Sequence, residues 1–284
     1  MDRRASGTQH PAPFIGSDFT EEDFEAVRVL LLEERGIDLG MYKDRCIKRR
    51  IATRVRARGF HAPGPYLEVL RREPEEVTAL LAALTIHVSQ FFRNPSTFAV
   101  LEGVVLPELV ARAREDGRQE VRLWSLGCAA GEEPYSLALL AESLAPQEMK
   151  ISILGTDLSP AVLERAREGL YDALRLGEVP EAVLKGYFSE EGHEFRLCRR
   201  IRERVRFECG NILDSGAYPP ADLILCRNVL IYFCRRDQET ILARLAAVLP
   251  SGGYLVLGRA ETLPGEFRGM FHVAYPAERI YRRL

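Results

Sequence analysis

The sequence predicts a doubly wound α/β domain that follows an all-helical N-terminal domain and contains a small antiparallel insertion. Apolar side chains recur at helical spacing through residues 20–93. From residue 121 onward, short apolar strands alternate with helices, which is the pattern of a mostly parallel sheet. A turn with two glycines, Gly127 and Gly131, joins the first of these strands to its helix. A chain of 284 residues is long enough for two such domains.

The N-terminal domain, residues 18–93, is expected to be helical after a flexible tail over residues 1–17. Thr20 suits the N-cap of the first helix because three acidic residues follow it, and Gly36 ends that helix. The remaining helices are expected at about residues 43–58, 65–72 and 74–86.

Asn94 and Pro95 predict the start of a linking helix, residues 94–116, with Asn94 as its cap. The α/β domain then occupies residues 117–284. Its strands are expected at residues 121–126, 151–156, 204–208, 222–226 and 254–257, with antiparallel edge strands at 271–274 and 279–282. Its helices are expected at about residues 134–144, 160–169 and 237–249.

The stretch at about residues 170–203 is too long for a simple connection between a helix and a strand. Its tail, residues 194–204, is strand-like and rich in arginine, and turn residues precede it. We therefore expect a small inserted β-subdomain.

Composition excludes several classes of protein. The formal net charge of −2 argues against a nucleic-acid partner. The six cysteines include no C-x-x-C pair, which argues against a metal site and a disulfide framework and favours reduced thiols in the cytoplasm. No apolar run reaches 18 residues, so no direct membrane insertion is expected.

The second predicted helix is strongly basic. Eight cationic side chains lie within residues 43–58, against the single acid Asp44. One interpretation is a solvated helix face, which is the usual explanation of a charge run. The other is a docking surface for an acidic partner, because so many like charges on one short helix repel each other. Arg49, Arg50 and Arg54 are the candidate docking residues.

The glycine turn and the second strand predict a nucleoside-bearing cofactor. Asp157 ends the second strand, where a carboxylate accepts the hydroxyls of a ribose; the alternative is that it caps the next helix. A phosphate would bind at the helix start after Gly131. Glu132 and Glu133 occupy that position and would repel it. A cationic cofactor without phosphate, S-adenosylmethionine, fits better.

Two later strand ends supply further candidates. Asn211 and Ile212 follow the third strand, where they suit the edge and face of an adenine; the alternative for Asn211 is a turn residue. Arg227 and Asn228 follow the fourth strand, at the edge where the reactive end of the cofactor is expected. Tyr232, or the neighbouring phenylalanine, is a candidate to place an aromatic face near a sulfonium. The Asn/Asp-Pro-Pro-aromatic run of enzymes that methylate base amines does not follow this strand.

Six segments carry a family resemblance and come in the family's order: LTIHVSQFFRN, WSLGCAAGEEPYSLA, LGTDLSPAVLERAREGLY, CGNILD, ADLILCRNVLIYF and LPSGGYLVLGRAE. They resemble the CheR-type chemotaxis receptor glutamate O-methyltransferases. The resemblance implies a class I (Rossmann-like) methyltransferase domain, an N-terminal helical domain and an inserted β-subdomain. It also implies that the protein methylates glutamate side chains on the acidic cytoplasmic helices of chemoreceptors. S-adenosylmethionine would be the donor, and glutamate methyl esters and S-adenosylhomocysteine the products.

The resemblance also implies site residues. Gly127 shapes the turn, Arg93 and Tyr232 would face the reacting methyl group, and the implied cofactor contacts are His87, Ser89, Arg93, Glu133, Asp157, Asn211, Ile212, Arg227 and Asn228. The chain departs from the family pattern at His87, where asparagine is usual, and at Ser89, where threonine is usual. The late motif reads Gly-Arg-Ala-Glu at residues 258–261, where the family often has Gly-His-Ser-Glu.

Two alternatives stay open beside this function. One is a methyltransferase for another acceptor, and the other is a signalling module that binds S-adenosylmethionine or S-adenosylhomocysteine without activity. The insertion looks shorter than in family members that bind a C-terminal receptor pentapeptide, so that tether is not expected. A monomer is expected. A glutamate acceptor is already ionised at neutral pH, so no strong general base is required.

Overall fold

The computed structural model describes residues 20–35, 44–60, 63–84, 89–144, 149–214, 216, 218–233 and 235–284. The chain divides into two compact units, Met1–Ile86 and His87–Leu284. Each unit has its own hydrophobic core among these residues.

The first unit contains four helices in its described part: α1 Glu21–Arg35, α2 Asp44–Ala57, α3 Pro63–Arg72 and α4 Pro74–Leu84. Thr20 caps α1 as predicted. Its Oγ1 accepts the backbone N–H of Asp23 at 3.1 Å, and the Asp23 carboxylate accepts the N–H of Thr20 at 3.2 Å. Ile47, Ile51 and Val55, the predicted apolar stripe of α2, are all buried in the core of the unit.

The second unit combines helices with two sheets. Its α-helices are α5 Pro95–Val100, α6 Leu106–Glu115, α7 Glu132–Leu144, α8 Pro160–Glu168, α9 Glu181–Tyr187, α10 Arg199–Arg202 and α11 Arg235–Val248. Its strands are β1 Glu120–Leu126, β2 Lys150–Asp157, β3 Leu170–Asp172, β4 Phe188–Glu191, β5 Glu194–Leu197, β6 Val205–Cys209, β7 Leu223–Cys226, β8 Tyr254–Leu257, β9 Phe271–Tyr275 and β10 Ile280–Arg283. A π-helical turn, Leu101–Val105, joins α5 to α6, so the predicted linking helix is not one regular α-helix.

The large sheet confirms the predicted doubly wound class. Its strand order is β6-β2-β1-β7-β8-β10-β9, with β6 through β8 parallel and β10 antiparallel to both of its neighbours. The chain runs outward from β1 to β2 and β6 on one side and continues to β7 and β8 on the other. In such sheets, ligands bind at the carboxyl ends of the strands where the order reverses, here between β1 and β7. Of the two predicted edge strands, only β9 lies at the edge, because β10 pairs between β8 and β9.

The insertion forms a separate antiparallel sheet of order β3-β5-β4, as expected. The strand expected over residues 194–204 is too long. It ends at Leu197, and Arg199–Arg202 form the short helix α10. This turn is helical because the Cys198 carbonyl accepts the N–H groups of Ile201 and Arg202, each at 3.2 Å, and Ile201 is buried.

Candidate functional site

The backbone at the carboxyl edge of the large sheet is unusually strained. Among the described residues, five non-glycine residues have positive φ. Four of them are Phe92, Asn94, Ala129 after β1 and Asn228 after β7; the fifth, Arg279, lies between β9 and β10. Such conformations are costly for residues with a Cβ atom and cluster at functional sites. This edge is therefore the candidate site.

The glycine turn after β1 packs closely against the loop after β7. Gly127 has a φ of +70°, and a Cβ atom on it would lie 2.5 Å from a methyl carbon of Val229. Asp157 closes the turn from the end of β2. One of its carboxylate oxygens accepts the N–H of Ala129 and the other that of Ser159, both at 3.0 Å. The alternative that Asp157 caps the next helix is wrong, because the N-cap of α8 is Ser159, whose side chain accepts the N–H of Val162. The carboxylate of Asp157 has further lone pairs that suit hydroxyl groups.

Glu133, at the start of α7, is held by two donors. Its Oε1 accepts the Ser125 hydroxyl at 2.8 Å, and its Oε2 accepts Nη1 of Arg227 at 3.0 Å. The side chain retains 14% exposure. The structure thus supplies a fixed and partly accessible carboxylate beside the glycine turn.

Glu132 does not face this site, so the expectation that it crowds the cofactor position is wrong. The residue is fully buried, and its Oε1 accepts Nη1 of Arg175 at 2.9 Å. Burial raises the pKa of Glu132 to about 7, although Arg175 opposes the shift. The reason for the error is that adjacent helical positions face different directions. Glu132 points toward the insertion, whereas Glu133 points toward β7.

Arg227 links Glu133 to the segment that carries Arg93. Its Nη2 donates to the Arg93 carbonyl at 2.8 Å and to Oδ1 of Asn94 at 2.7 Å, and its side chain is only 2% exposed. Asn94 occupies the N-cap position of the linking helix as predicted, and its carbonyl accepts the N–H of Thr97 at 2.9 Å, but its side chain makes no capping bond. Asn94 has a left-handed backbone, and its amide oxygen is bound by Arg227 rather than by the helix N-terminus.

The segment before Arg93 is fixed from the other side. Arg175 Nη1 donates to the Ser89 carbonyl at 2.7 Å, and the Arg175 carbonyl accepts the N–H of Phe91 at 3.0 Å. The N–H of Phe92 donates to Oγ of Ser136, a buried residue of α7, at 2.9 Å. His87, a predicted cofactor contact, lies outside the described residues. We call residues 89–94 the Arg93 segment.

Glu261 organises the loop after β7. Its carboxylate accepts the N–H groups of Asn228 at 2.9 Å, Ile231 at 3.2 Å and Gly258 at 2.6 Å, and it is 5% exposed. Burial raises the pKa of Glu261, and these backbone donors oppose the shift. Sequence reasoning assigned no role to Glu261, although the residue ends the Gly-Arg-Ala-Glu motif, which was a visible signal.

The remaining candidates on the sheet lie apart from this network. Asn211 follows β6, and its Oδ1 accepts the N–H of Leu213 at 3.0 Å, so Asn211 acts as a turn residue. Its Nδ2 group is the part of the side chain that can donate to an acceptor atom of an adenine. Ile212 is half-buried beside it. Tyr232 is half-buried at the end of the 3₁₀ turn Leu230–Tyr232, whereas Phe233 is buried in the core.

The basic helix α2 belongs to the first unit, and its candidate docking residues differ in environment. Arg54 donates two hydrogen bonds, of 2.8 and 2.7 Å, to the carboxylate of Glu76, which is 3% exposed. Burial raises the pKa of Glu76, but the hydrogen bonds from Arg54 and Tyr66 outweigh it and bring the pKa below its usual value. Arg54 is thus a structural residue. Arg50 donates to the Leu84 carbonyl, and Arg49 is exposed.

The residues at the sheet edge fit the predicted cofactor in chemical type. Glu133 can accept an ammonium, Asp157 can accept hydroxyls, and a carboxylate at the start of α7 disfavours a phosphate. Within the described ranges, no cluster of three or more histidine, cysteine or acidic side chains could hold a metal ion. None of the described helices has the length and apolar character needed to cross a membrane.

Two family models match the two parts of the chain. The model of the CheR methyltransferase SAM binding domain matches residues 87–278, and that of the CheR methyltransferase all-alpha domain matches residues 22–85. The chain is 34% identical over 243 residues to a chemotaxis protein methyltransferase of Listeria monocytogenes, covering 86% of this chain and 91% of that protein. It is 35% identical over 251 residues to chemotaxis protein methyltransferase 1 of Pseudomonas aeruginosa, covering 85% and 90%. It is 31% identical over 257 residues to the probable biofilm formation methyltransferase WspC of the same species, covering 89% and 60%.

Proposed function

The chain belongs to the CheR methyltransferase family, and from that premise we propose that it methylates glutamate side chains of chemoreceptors. The products are glutamate methyl esters and S-adenosylhomocysteine. The observation that carries the proposal is the fixed backbone around Arg93, because two left-handed residues, Phe92 and Asn94, flank it and the buried Arg227 binds it. A guanidinium carried on a backbone held in this way suits a carboxylate acceptor, which it can bind through two hydrogen bonds.

The cofactor supplies a methyl group on a cationic sulfur, and the residues of the chain bind and orient. Glu133 would bind the ammonium of the cofactor through the lone pairs that its donors Ser125 and Arg227 leave open. Asp157 would accept the ribose hydroxyls of the cofactor, and Tyr232 would lie on the side of its methyl group. Arg93 orients the incoming glutamate carboxylate. Because that carboxylate is ionised at neutral pH, the enzyme's task is alignment and exclusion of water rather than proton removal.

We further propose that the exposed face of α2 docks the acidic helices of the receptor. Arg49 and Arg56 are exposed on this helix, and Arg50 is half-buried beside them. Arg54 leaves the docking set because its guanidinium is bound to Glu76. Exposed charges of this kind act mainly on the rate of association, and salt screens them.

The similarity to WspC supports a second class of receptor as the acceptor for the same reaction. WspC is named for biofilm formation, and the chain is 31% identical to it. We infer that receptors controlling surface growth are candidate acceptors beside those controlling motility. Methylation of both receptor types from the source organism, compared side by side, decides between them.

The chemistry is tested with labelled S-adenosylmethionine and cytoplasmic receptor fragments. We expect label in the receptor that base releases as methanol, because methyl esters hydrolyse in alkali and N-methyl groups do not. Label that resists base would mean another acceptor atom. Binding of S-adenosylmethionine without any transfer would instead indicate a signalling module.

The docking face is tested by charge reversal at Arg49. We expect Arg49→Glu to raise the KM for receptor several-fold at low salt, with the difference shrinking as salt rises, because the residue acts by steering. Arg72→Glu is the matched control, since Arg72 is an exposed helical arginine of the same unit. Equal effects of the two variants, or an unchanged KM for Arg49→Glu, would remove α2 from the docking surface.

A further inference from the structure

Two consecutive glutamates at the start of α7 hold two arginines, and each arginine binds one end of the Arg93 segment. Glu133 pairs with Arg227, which binds the carbonyl of Arg93 itself. Glu132 pairs with Arg175, which binds Ser89, four residues earlier. The stretch from Ser89 to Arg93 is therefore held at both ends by arginines that pair with the same turn of α7.

Arg175 comes from the insertion rather than from the large sheet. It lies in the 3₁₀ turn Ala173–Leu176, which Asp172 caps by accepting the N–H of Arg175 at 3.2 Å. The guanidinium bridges Glu132 and the Ser89 carbonyl through one nitrogen, and the Arg175 carbonyl accepts the N–H of Phe91. Side chain and main chain of a single residue thus hold two points of the Arg93 segment.

We propose that Arg175, supported by Glu132, is a positioning residue for methyl transfer that sets the place of Arg93 from within the insertion. The inference rests on the proposed function, because it assumes that Arg93 orients the acceptor carboxylate. Arg175 touches neither reactant in this role. It acts through the backbone that leads from Ser89 to Arg93.

Arg175 holds the conformation of the Arg93 segment in particular, rather than the stability of the whole unit. The partners of its guanidinium include the backbone of a strained segment, and Phe92 within that segment has a φ of 51°. A strained conformation persists only where its surroundings hold it. Loss of the Arg175 bonds should let the segment relax toward ordinary backbone angles while the sheet stays intact. A displacement of about 1 Å at a positioning group can cost on the order of a hundredfold in rate.

The test compares Arg175→Met with Arg196→Met in the full chain. Arg196 lies in the same insertion, pairs with Glu191 and donates to the Glu168 carbonyl, and its side chain is 34% exposed against 31% for Arg175. The measurements are hydrogen–deuterium exchange of residues 89–94, the Kd for S-adenosylmethionine, and turnover on receptor fragments.

For Arg175→Met we expect faster exchange in the Arg93 segment, a loss of about tenfold or more in kcat and a smaller change in Kd for S-adenosylmethionine. Arg175→Lys should restore part of kcat, because an ammonium reaches one of the two acceptors. Glu132→Gln keeps the shape of the side chain and should give an intermediate loss of kcat. This variant replaces Arg175→Met in the test if Arg175→Met does not fold. Arg196→Met should leave all three measurements near those of the wild type.

Unchanged exchange in residues 89–94, or a kcat equal to that of the wild type, would overturn the proposal. So would a loss explained wholly by weaker S-adenosylmethionine binding, or an equal loss in Arg196→Met. The exchange measurement needs no receptor. If the wild type fails to methylate receptors while exchange responds to Arg175→Met, the proposed function fails and the contact of Arg175 with the segment stands.

Discussion

The arginines of α2 and those at the carboxyl edge of the large sheet differ in how many of them are bound by a carboxylate from another element. In α2, a run of cations divides between Arg54, which binds the buried Glu76, and residues such as Arg49 that remain exposed. At the sheet edge, Arg175 and Arg227 each bind a glutamate of α7 and a backbone carbonyl. The role of an arginine therefore depends on whether a carboxylate from another element reaches it, which the density of charge along the sequence does not reveal.

The largest effect is expected at the sheet edge, from Arg227→Met. The change leaves Glu133 without its cationic partner and removes both bonds to the Arg93 segment. Breaking a buried pair on one side costs about 3–5 kcal/mol. We expect a lower free energy of unfolding of the second unit and weaker S-adenosylmethionine binding, measured by denaturant titration and calorimetry.

The control for Arg227→Met is Arg235→Met in α11 of the same unit. Arg235 forms an exposed pair with Glu239 one helical turn away. Exposed pairs contribute little, so no measurable change in the unfolding midpoint is expected. Equal stability of the Arg227 and Arg235 variants would contradict the contrast between buried and exposed arginines.

A smaller loss is expected in α2 from Arg54→Met. The change leaves the charge of the buried Glu76 carboxylate to be stabilised by the Tyr66 hydroxyl and by the Arg58 guanidinium, which lies 3.3 Å away. Because Arg54 is partly exposed, we expect a cost of about 2–3 kcal/mol, below the full range for a buried pair. Faster hydrogen exchange in α2 to α4 would report it. Arg49→Met should change stability by about 0.5 kcal/mol or less, since it is a surface change.

The Arg54 pair also predicts a pH dependence. The pKa of Glu76 is lowered in the folded protein, so its contribution is present above the unfolded carboxyl pKa and is lost as pH falls through the folded value. Wild type and Arg54→Met should therefore converge in stability in acid. A constant difference between them down to low pH would show that the pair is not the source of the effect.

A pH dependence of the opposite sign is expected at Glu132. Its folded pKa is raised to about 7, so its stabilising contribution is lost as pH rises from the unfolded value toward 7. Burial is the main cause of the raised pKa of Glu132, its own backbone N–H and Arg175 oppose the shift, and Asp172 adds to it. The neighbouring Tyr171 and Cys128 stay neutral because burial raises their own pKa values.

Glu132→Gln should therefore gain about 2 kcal/mol in unfolding free energy relative to the wild type between pH 5 and 7. Thermal unfolding at both pH values measures this. Glu132 has two effects: burial of its charge lowers stability, and its bond to Arg175 aligns the Arg93 segment. A variant that gains stability but loses turnover would separate them. A pH-independent difference would contradict the raised pKa.

The sequence predicted the elements well because their signals are local. The Thr20 cap, the glycine turn and the alternation of strands with helices each depend on residues within a few positions of one another. The strand over residues 194–204 was a local error, but the errors at the candidate site involve partners far apart in sequence. Glu132 meets Arg175 43 residues away, Asn94 meets Arg227 133 residues away, and Arg54 meets Glu76 22 residues away. No periodicity or propensity carries information over such separations.

The consecutive positions of Glu132 and Glu133 constrain how this site can change in evolution or design. Five residues separate β1 from α7. Deleting or adding one of them would turn the start of α7 by about 100°, which is the angle between neighbouring residues of an α-helix. After that rotation, Glu132 would face β7 instead of the insertion, or neither glutamate would contact its arginine. Length variation should therefore be absent from this connection in functional relatives, even where the identities of its small residues differ.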